Sequence, residues 1–254
     1  IIGTLLGTRD AKIKSDIASA RAAGQPFDPH RLDLFTALHE ELMRTDAPIR
    51  RDPNIAGMSI NLPFFEAYFP NFIEGTEFEV SEAAEIVFEG RIPEQRPADA
   101  HDILGTYRVV SSKNEMSKLP ETPEEFVSLM RARHAQVMEG RPDKVPGQFK
   151  TRANQAGATL FVEPSLVEGT LKRGFEIYQA INEPFNRAAF MMFLVAEVHP
   201  FADGNGRLAR IMMNAELVAT DECRIIIPTI YRNNYLAALR ALSQNQAAEP
   251  MIRM

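Results

Sequence analysis

The chain has 254 residues, with 28 Lys and Arg against 34 Asp and Glu and a formal charge of −6. Its apolar fraction of 45% is enough to bury a core, while the net charge argues against bulk binding to nucleic acid or acidic membranes and requires any anionic ligand to be held by local positive charge. The single cysteine, Cys223, excludes an internal disulfide and a two-cysteine metal site, and it fits a cytoplasmic protein.

This length allows one large domain or a catalytic domain with a smaller companion. The longest strongly apolar run, Ala188 to Val198, is interrupted by Glu197 and is too short to span a bilayer, so no membrane partner is expected. The chain opens on Ile1 and stops at Met254, and it reads as a fragment whose missing terminal segments are left open.

Helical signals dominate. Leu32, Leu34, Leu38 and Leu42 recur among charged residues between His30 and Arg44 and predict an amphipathic helix. Phe64, Phe65, Phe69 and Phe72 read as packing one helix onto another. Glu77-Phe-Glu-Val80 alternates and predicts a short extended stretch. A composition shift near Arg91–Pro97 separates an N-terminal helical region, 1–95, from a C-terminal domain, 96–254. Pro97 opens a helix to about Val110. Thr122-Pro-Glu-Glu125 offers an N-cap, proline at N1 and glutamate at N3, with Gly140 as terminator. Between Phe149 and Val162, Gly157 interrupts a Thr/Ala/Phe/Val-rich stretch and predicts a small hairpin or flap. Further helices are expected at 170–181, 184–198, 207–219 and 233–243. The fold class is mostly α.

The chemistry is concentrated in His199-Pro-Phe-Ala-Asp-Gly-Asn-Gly-Arg-Leu-Ala-Arg210. Pro200 stops the preceding helix. Gly204-Asn-Gly206 is a turn leading into renewed helical periodicity at Leu208, Ile211, Met212 and Ala215, so it sits at a helix N-terminus, where free N–H groups and the dipole favour an anion. Arg207 and Arg210 lie one turn apart and are expected to project toward one phosphate chain. Asp203 is a hard oxygen ligand suited to Mg²⁺ bound partly through a nucleotide, and His199 is a group able to accept a proton at neutral pH. Phosphoryl or nucleotidyl transfer is the economical reading.

This segment resembles the Fic family signature H-x-F-x-[DE]-G-N-G-R-x-x-R and matches it at every specified position. Looser resemblance extends to Pro146-Gly-Gln-Phe-Lys-Thr151, to Phe161-Val-Glu-Pro164 and to Arg232-Asn-Asn-Tyr-Leu-Ala-Ala-Leu239, covering roughly the last half of the chain. The resemblance implies a Fic-like helical bundle with a β-hairpin flap and an N-terminal helical extension. It also implies transfer of AMP from ATP to a Ser, Thr or Tyr hydroxyl of a target protein, with Mg²⁺ as cofactor. Carried over by position, His199 is the general base and Asp203 the Mg²⁺ ligand. Gly204, Asn205 and Gly206 form the anion hole, Arg207 and Arg210 hold phosphates, Phe201 anchors the loop and Tyr235 borders the adenine. The flap pairs with the target backbone as an added strand.

The family's inhibitory pattern is [ST]-x-x-x-E-[GN], and Asn71-Phe-Ile-Glu-Gly-Thr76 resembles it, with Glu74 as the inhibitory acid and Pro70 in place of Ser or Thr. Glu74 is expected to occupy Arg210 and restrain transfer. The alternatives are removal of AMP from a modified protein, or a nucleotide-sensing interaction module without turnover. Self-modification and a homodimer are left open. Core packing is an equal reading for Tyr231 and Tyr235. His30, His39, His101 and His134 lie on expected helices and read as surface or core residues.

Overall fold

The structure is a computed structural model that describes residues 15–46 and 58–253. Ile1 and Met254 lie outside the described residues. The first helix among the described residues, α1 (Asp16–Ala22), starts at a Ser15 cap and was not signalled by the periodicity. Helix α2 (Pro29–Arg44) begins where Asp28 accepts from the N–H groups of His30 and Arg31, with Pro29 at the first helical position. Its Leu34, Phe35, Leu38 and Leu42 are buried, and Leu32 is only partly so.

Helix α3 (Met58–Ile73) contains Pro63 and Pro70, each of which removes a ladder hydrogen bond at a usual cost of about 3 kcal/mol. Tertiary packing outweighs that cost. Phe64 and Tyr68 form one aromatic cluster with Ala100 and Ile103 of α5 (Pro97–Ser111). Asn71 is fully buried and donates to Ala67 O and Thr106 Oγ1. The extended stretch expected at Glu77–Val80 is not a strand. Glu79 caps helix α4 (Val80–Ala84), with its N–H donating to the Glu82 carboxylate, and the helix runs on into a π-helical turn closed by Gly90 at φ 70°.

The short α6 (Lys113–Met116) precedes α7 (Pro123–Val137), which Thr122 caps by accepting from Glu125 N–H at 3.2 Å. The Glu125 carboxylate takes the N–H of Glu121. Gly140 does not terminate α7. The cap is Met138, and Gly140 is small because a Cβ there would lie 2.3 Å from His101 Cβ.

The expected hairpin is present: β1 (Gln155–Ala156) pairs antiparallel with β2 (Thr159–Leu160), and Gly157 turns at φ 59°. Four longer segments follow: α8 (Val167–Tyr178), α9 (Pro184–Val198), α10 (Asn205–Ala219) and α11 (Arg232–Asn245), then the short α12 (Glu249–Ile252). Helix α9 is buried nearly all round, packs most extensively along α10 and is flanked by α2 and α8. Packing crosses residue 95. The apolar residues of α2 join the core built on α9, and α3 packs on α5.

Candidate active site

The central helix α9 delivers His199 in a left-handed conformation, φ 50° and ψ 59°. Proline at 200 disfavours the right-handed helical region for its predecessor, so the chain leaves the helix here and turns the imidazole sideways. His199 Nδ1 lies 3.2 Å from Ala196 O. A carbonyl only accepts, so Nδ1 carries the proton and Nε2 keeps its lone pair. The ring stacks on Phe161 of the flap at 3.8 Å and 7°. Burial holds the imidazole down at about 4, with the Ala196 carbonyl pulling it up and the Lys150 ammonium pressing it further down. The group is neutral at pH 7.

The loop that follows is pinned by side chains. Asn205 accepts from Phe201 N–H at 2.8 Å and donates to Phe201 O at 2.9 Å. Phe201 is fully buried and packs against His134 and Phe149. Asn154 also donates to Phe201 O, and Lys150 donates to Asn154 and through its backbone to Pro200 O. Burial lowers Lys150 to about 8, against the nearby Glu163 carboxylate. Gly204 caps α10 at φ 74°, and a Cβ there would lie 2.6 Å from Met138 Sδ. The first-turn N–H groups of α10 have no intrahelical acceptor and make a seat for an anion.

Arg210 and Glu74 meet. Arg210 Nη2 lies 2.7 Å from Glu74 Oε1 and also donates to Pro70 O, while Nη1 donates to the Tyr235 hydroxyl. Glu74 reaches this position because residue 206 is glycine: a Cβ there would lie 2.0 Å from Glu74 Oε1. The carboxylate thus lies over the N-terminus of α10.

Arg207 behaves differently from expectation. Its guanidinium is buried, lies 3.0 Å from Asp102 Oδ2, donates to Asn71 Oδ1 and does not line the cleft with Arg210. Residues three apart on a helix diverge by about 60°, and the buried Asp102 carboxylate needs a cation on that side. Arg141 pairs with Asp102 as well.

His199, Gly206, Arg210, Glu74 and Tyr235 line one cleft of about 340 Å³, within the roughly 300–1,000 Å³ range of small-molecule sites. Its other walls are the flap, through Ala156, Gly157, Thr159 and Phe161, and the face of α11 carrying Arg232, Leu236, Leu239, Arg240 and Ser243. Tyr235 is only 2% exposed. Asp203, Gly204, Asn205 and Arg207 are not among the residues that line the cleft, and the Asp203 side chain is partly exposed. His134, Asp102, Asn154 and Arg232 were not singled out as site residues by the sequence. Each acts through a long-range contact that spacing does not encode.

Residues 123–217 match the family model of Fic/DOC proteins. Over that segment the chain is similar to Fic/DOC proteins. The Fic match runs from the first residue of α7 into α10, so Glu74 and Tyr235 enter the cleft from outside it. Among curated relatives, the "Protein adenylyltransferase fic-1" of Caenorhabditis elegans is 24% identical over 81% of this chain and 43% of that protein. The "Protein adenylyltransferase Fic" of Drosophila yakuba is 26% identical over 90% of this chain and 44% of that one. The chain spans less than half the length of these relatives. Among solved structures, a Fic domain-containing signalling protein from Bacteroides thetaiotaomicron superposes with TM-score 0.66 at 19% identity, covering 88% of this chain and 90% of that one. Fic-1 from C. elegans superposes with TM-score 0.62 at 22% identity, covering 88% and 66%. The likeness to these structures is one of fold, mostly helical with one small hairpin among the described residues.

Proposed function

We propose that this chain transfers AMP from ATP to a hydroxyl side chain of a protein, and that Glu74 restrains it. The observation that carries the reading is His199 Nε2, unprotonated and beside an anion seat that Arg210 flanks. The names of the relatives, protein adenylyltransferases, agree with it.

In this reading the α-phosphate rests at the N-terminus of α10, where helix N–H groups meet charge that grows in the transition state. The target hydroxyl attacks phosphorus, its proton passes to His199 Nε2, the bond to the β-phosphate breaks, and pyrophosphate leaves with the electron pair. The flap, held over His199 by the Phe161 stack, offers unpaired strand edges on which a target backbone can align. Arg210 is the cation for the outer phosphates once Glu74 releases it.

The Asp203 carboxylate fits a divalent ion. Its Oδ1 accepts from Gly204 N–H at 2.6 Å, its side chain is 42% exposed, and among the described residues nothing donates to Oδ2. Mg²⁺ is usually bound through one or two carboxylates together with nucleotide phosphates and water, so a single carboxylate here would suffice. Such an ion would neutralise charge on the leaving pyrophosphate.

Intact-protein mass spectrometry of wild type, Glu74→Gly and His199→Ala with ATP and Mg²⁺, alone and with lysate, tests this. Glu74→Gly is expected to gain adducts of AMP mass, and adding His199→Ala to suppress them by roughly 10²–10⁴-fold. Equal modification of wild type and Glu74→Gly would remove the brake. Loss of AMP from a pre-modified target without ATP would reassign Glu74 to positioning water for hydrolysis.

A further inference from the structure

We infer that His134 is a positioning residue that aims the Asp203 carboxylate at the divalent ion accompanying the nucleotide, an inference that rests on the nucleotide reading of the cleft. His134 sits on α7, is fully buried, and lies outside the cleft. Three contacts determine its state. Gly147 N–H donates to Nδ1 at 2.9 Å, so Nδ1 is the acceptor and the ring proton is on Nε2. Nε2 lies 3.0 Å from Asp203 O and donates to it. The ring face lies 3.7 Å from Phe201 at an interplanar angle of 5°.

The Asp203 carbonyl and the Gly204 N–H belong to one planar peptide and point in opposite directions. His134 holds the carbonyl end. The N–H at the other end donates to Asp203 Oδ1 at 2.6 Å, so the plane that His134 sets also orients the carboxylate. Oδ1 is thereby occupied, with Arg207 Nη2 3.5 Å from it, and among the described residues nothing donates to Oδ2. The conformation at Gly204, φ 74°, lacks the steric restraint that a side chain would add, so an external hydrogen bond is what keeps this peptide from rotating. Partners of this kind behind a metal ligand typically change metal affinity by about 10–100-fold when removed. A phenylalanine would fill the same space and stack equally well, which separates positioning from packing.

The test is calorimetric binding of ATP to the full chain carrying Glu74→Gly, with Mg²⁺ and with chelator. His134→Phe is expected to cut the Mg²⁺-dependent gain in affinity about tenfold or more while leaving metal-free affinity within about twofold. His134→Gln, which keeps an N–H donor within reach of Asp203 O, should restore most of the gain. Asp203→Ala should lose the same gain, and combining it with His134→Phe should lose nothing further, because both act through one carboxylate. If His134→Phe does not fold, the contrast of Gln with Asn carries the test, since Asn meets Gly147 but is too short for Asp203. An undiminished Mg²⁺ gain in folded His134→Phe, or equal behaviour of Gln and Asn, overturns the assignment. Failure of the Glu74→Gly parent to bind ATP at all would instead overturn the nucleotide reading beneath it.

Discussion

At the scale of single residues, the Fic-like loop separates into groups that face the cleft and groups that hold the loop. His199, Gly206 and Arg210 face it, whereas Asn205 and Arg207 make interior bonds to Phe201, Asp102 and Asn71. A motif read as a string assigns all of them to the ligand. The depressed pKa of His199 has a kinetic consequence. With the free-enzyme imidazole near 4, it is already unprotonated across the physiological range, and protonation removes the base only well below pH 6. The kcat/KM of Glu74→Gly is therefore expected to stay level from pH 8 to 6 and to fall on the acid side only beyond that. An acidic limb at 6.5 or above would show a histidine with ordinary solvation.

At the scale of elements, the end of α3 is the movable part of the proposed brake. The C-terminal carbonyls of that helix meet two guanidinium groups, Arg210 at Pro70 O and Arg232 Nε at Ile73 O, 3.1 Å. Cations at a helix C-terminus contribute about 0.3–1 kcal/mol. Arg232→Ala is accordingly expected to raise self-modification by roughly twofold to fivefold, less than Glu74→Gly. A fall in modification would show that Arg232 serves the nucleotide more than the brake. Much of the element pattern was legible. The leucine spacing from Leu32 to Leu42 announces α2, the Thr122-Pro123 cap announces α7, and Gly157 announces the hairpin turn. The exceptions have local causes. The phenylalanine spacing pointed to a helix at α3 but two prolines hid its extent, and its aromatic face supplies what its ladder lacks. Glu77–Val80 looks like an alternating strand, but Glu79 finds an N-cap role with Glu82, and no neighbouring strand is present among the described residues to pair with it.

At the scale of the whole molecule, the helices before residue 95 complete the structure that follows them. Leu38 of α2 is fully buried in the core built on α9. From the same helix Arg31 pairs with Glu197 at 3.1 Å and donates to Leu160 O of the flap. Leu38→Ala is expected to cost about 3–5 kcal/mol and to lower a single calorimetric transition of the whole chain. Two transitions, only one of them shifted, would instead mark an independently folding N-terminal unit.

The sequence by itself determined the helical class, the flap and the identity of the loop, because periodicity, caps, turn glycines and a twelve-residue motif are all local in the chain. It also singled out Glu74 and Arg210, since each belongs to a short pattern. The resemblance to the Fic family implied their pairing, and the tertiary structure sets the two, 136 positions apart, at 2.7 Å from each other. Only there does Asp102 draw Arg207 inward, and only there does His134 reach the Asp203 carbonyl. Those pairings follow from which buried charges and polar groups must be satisfied once α3, α5 and α7 pack around α10, and no spacing along the chain records that requirement.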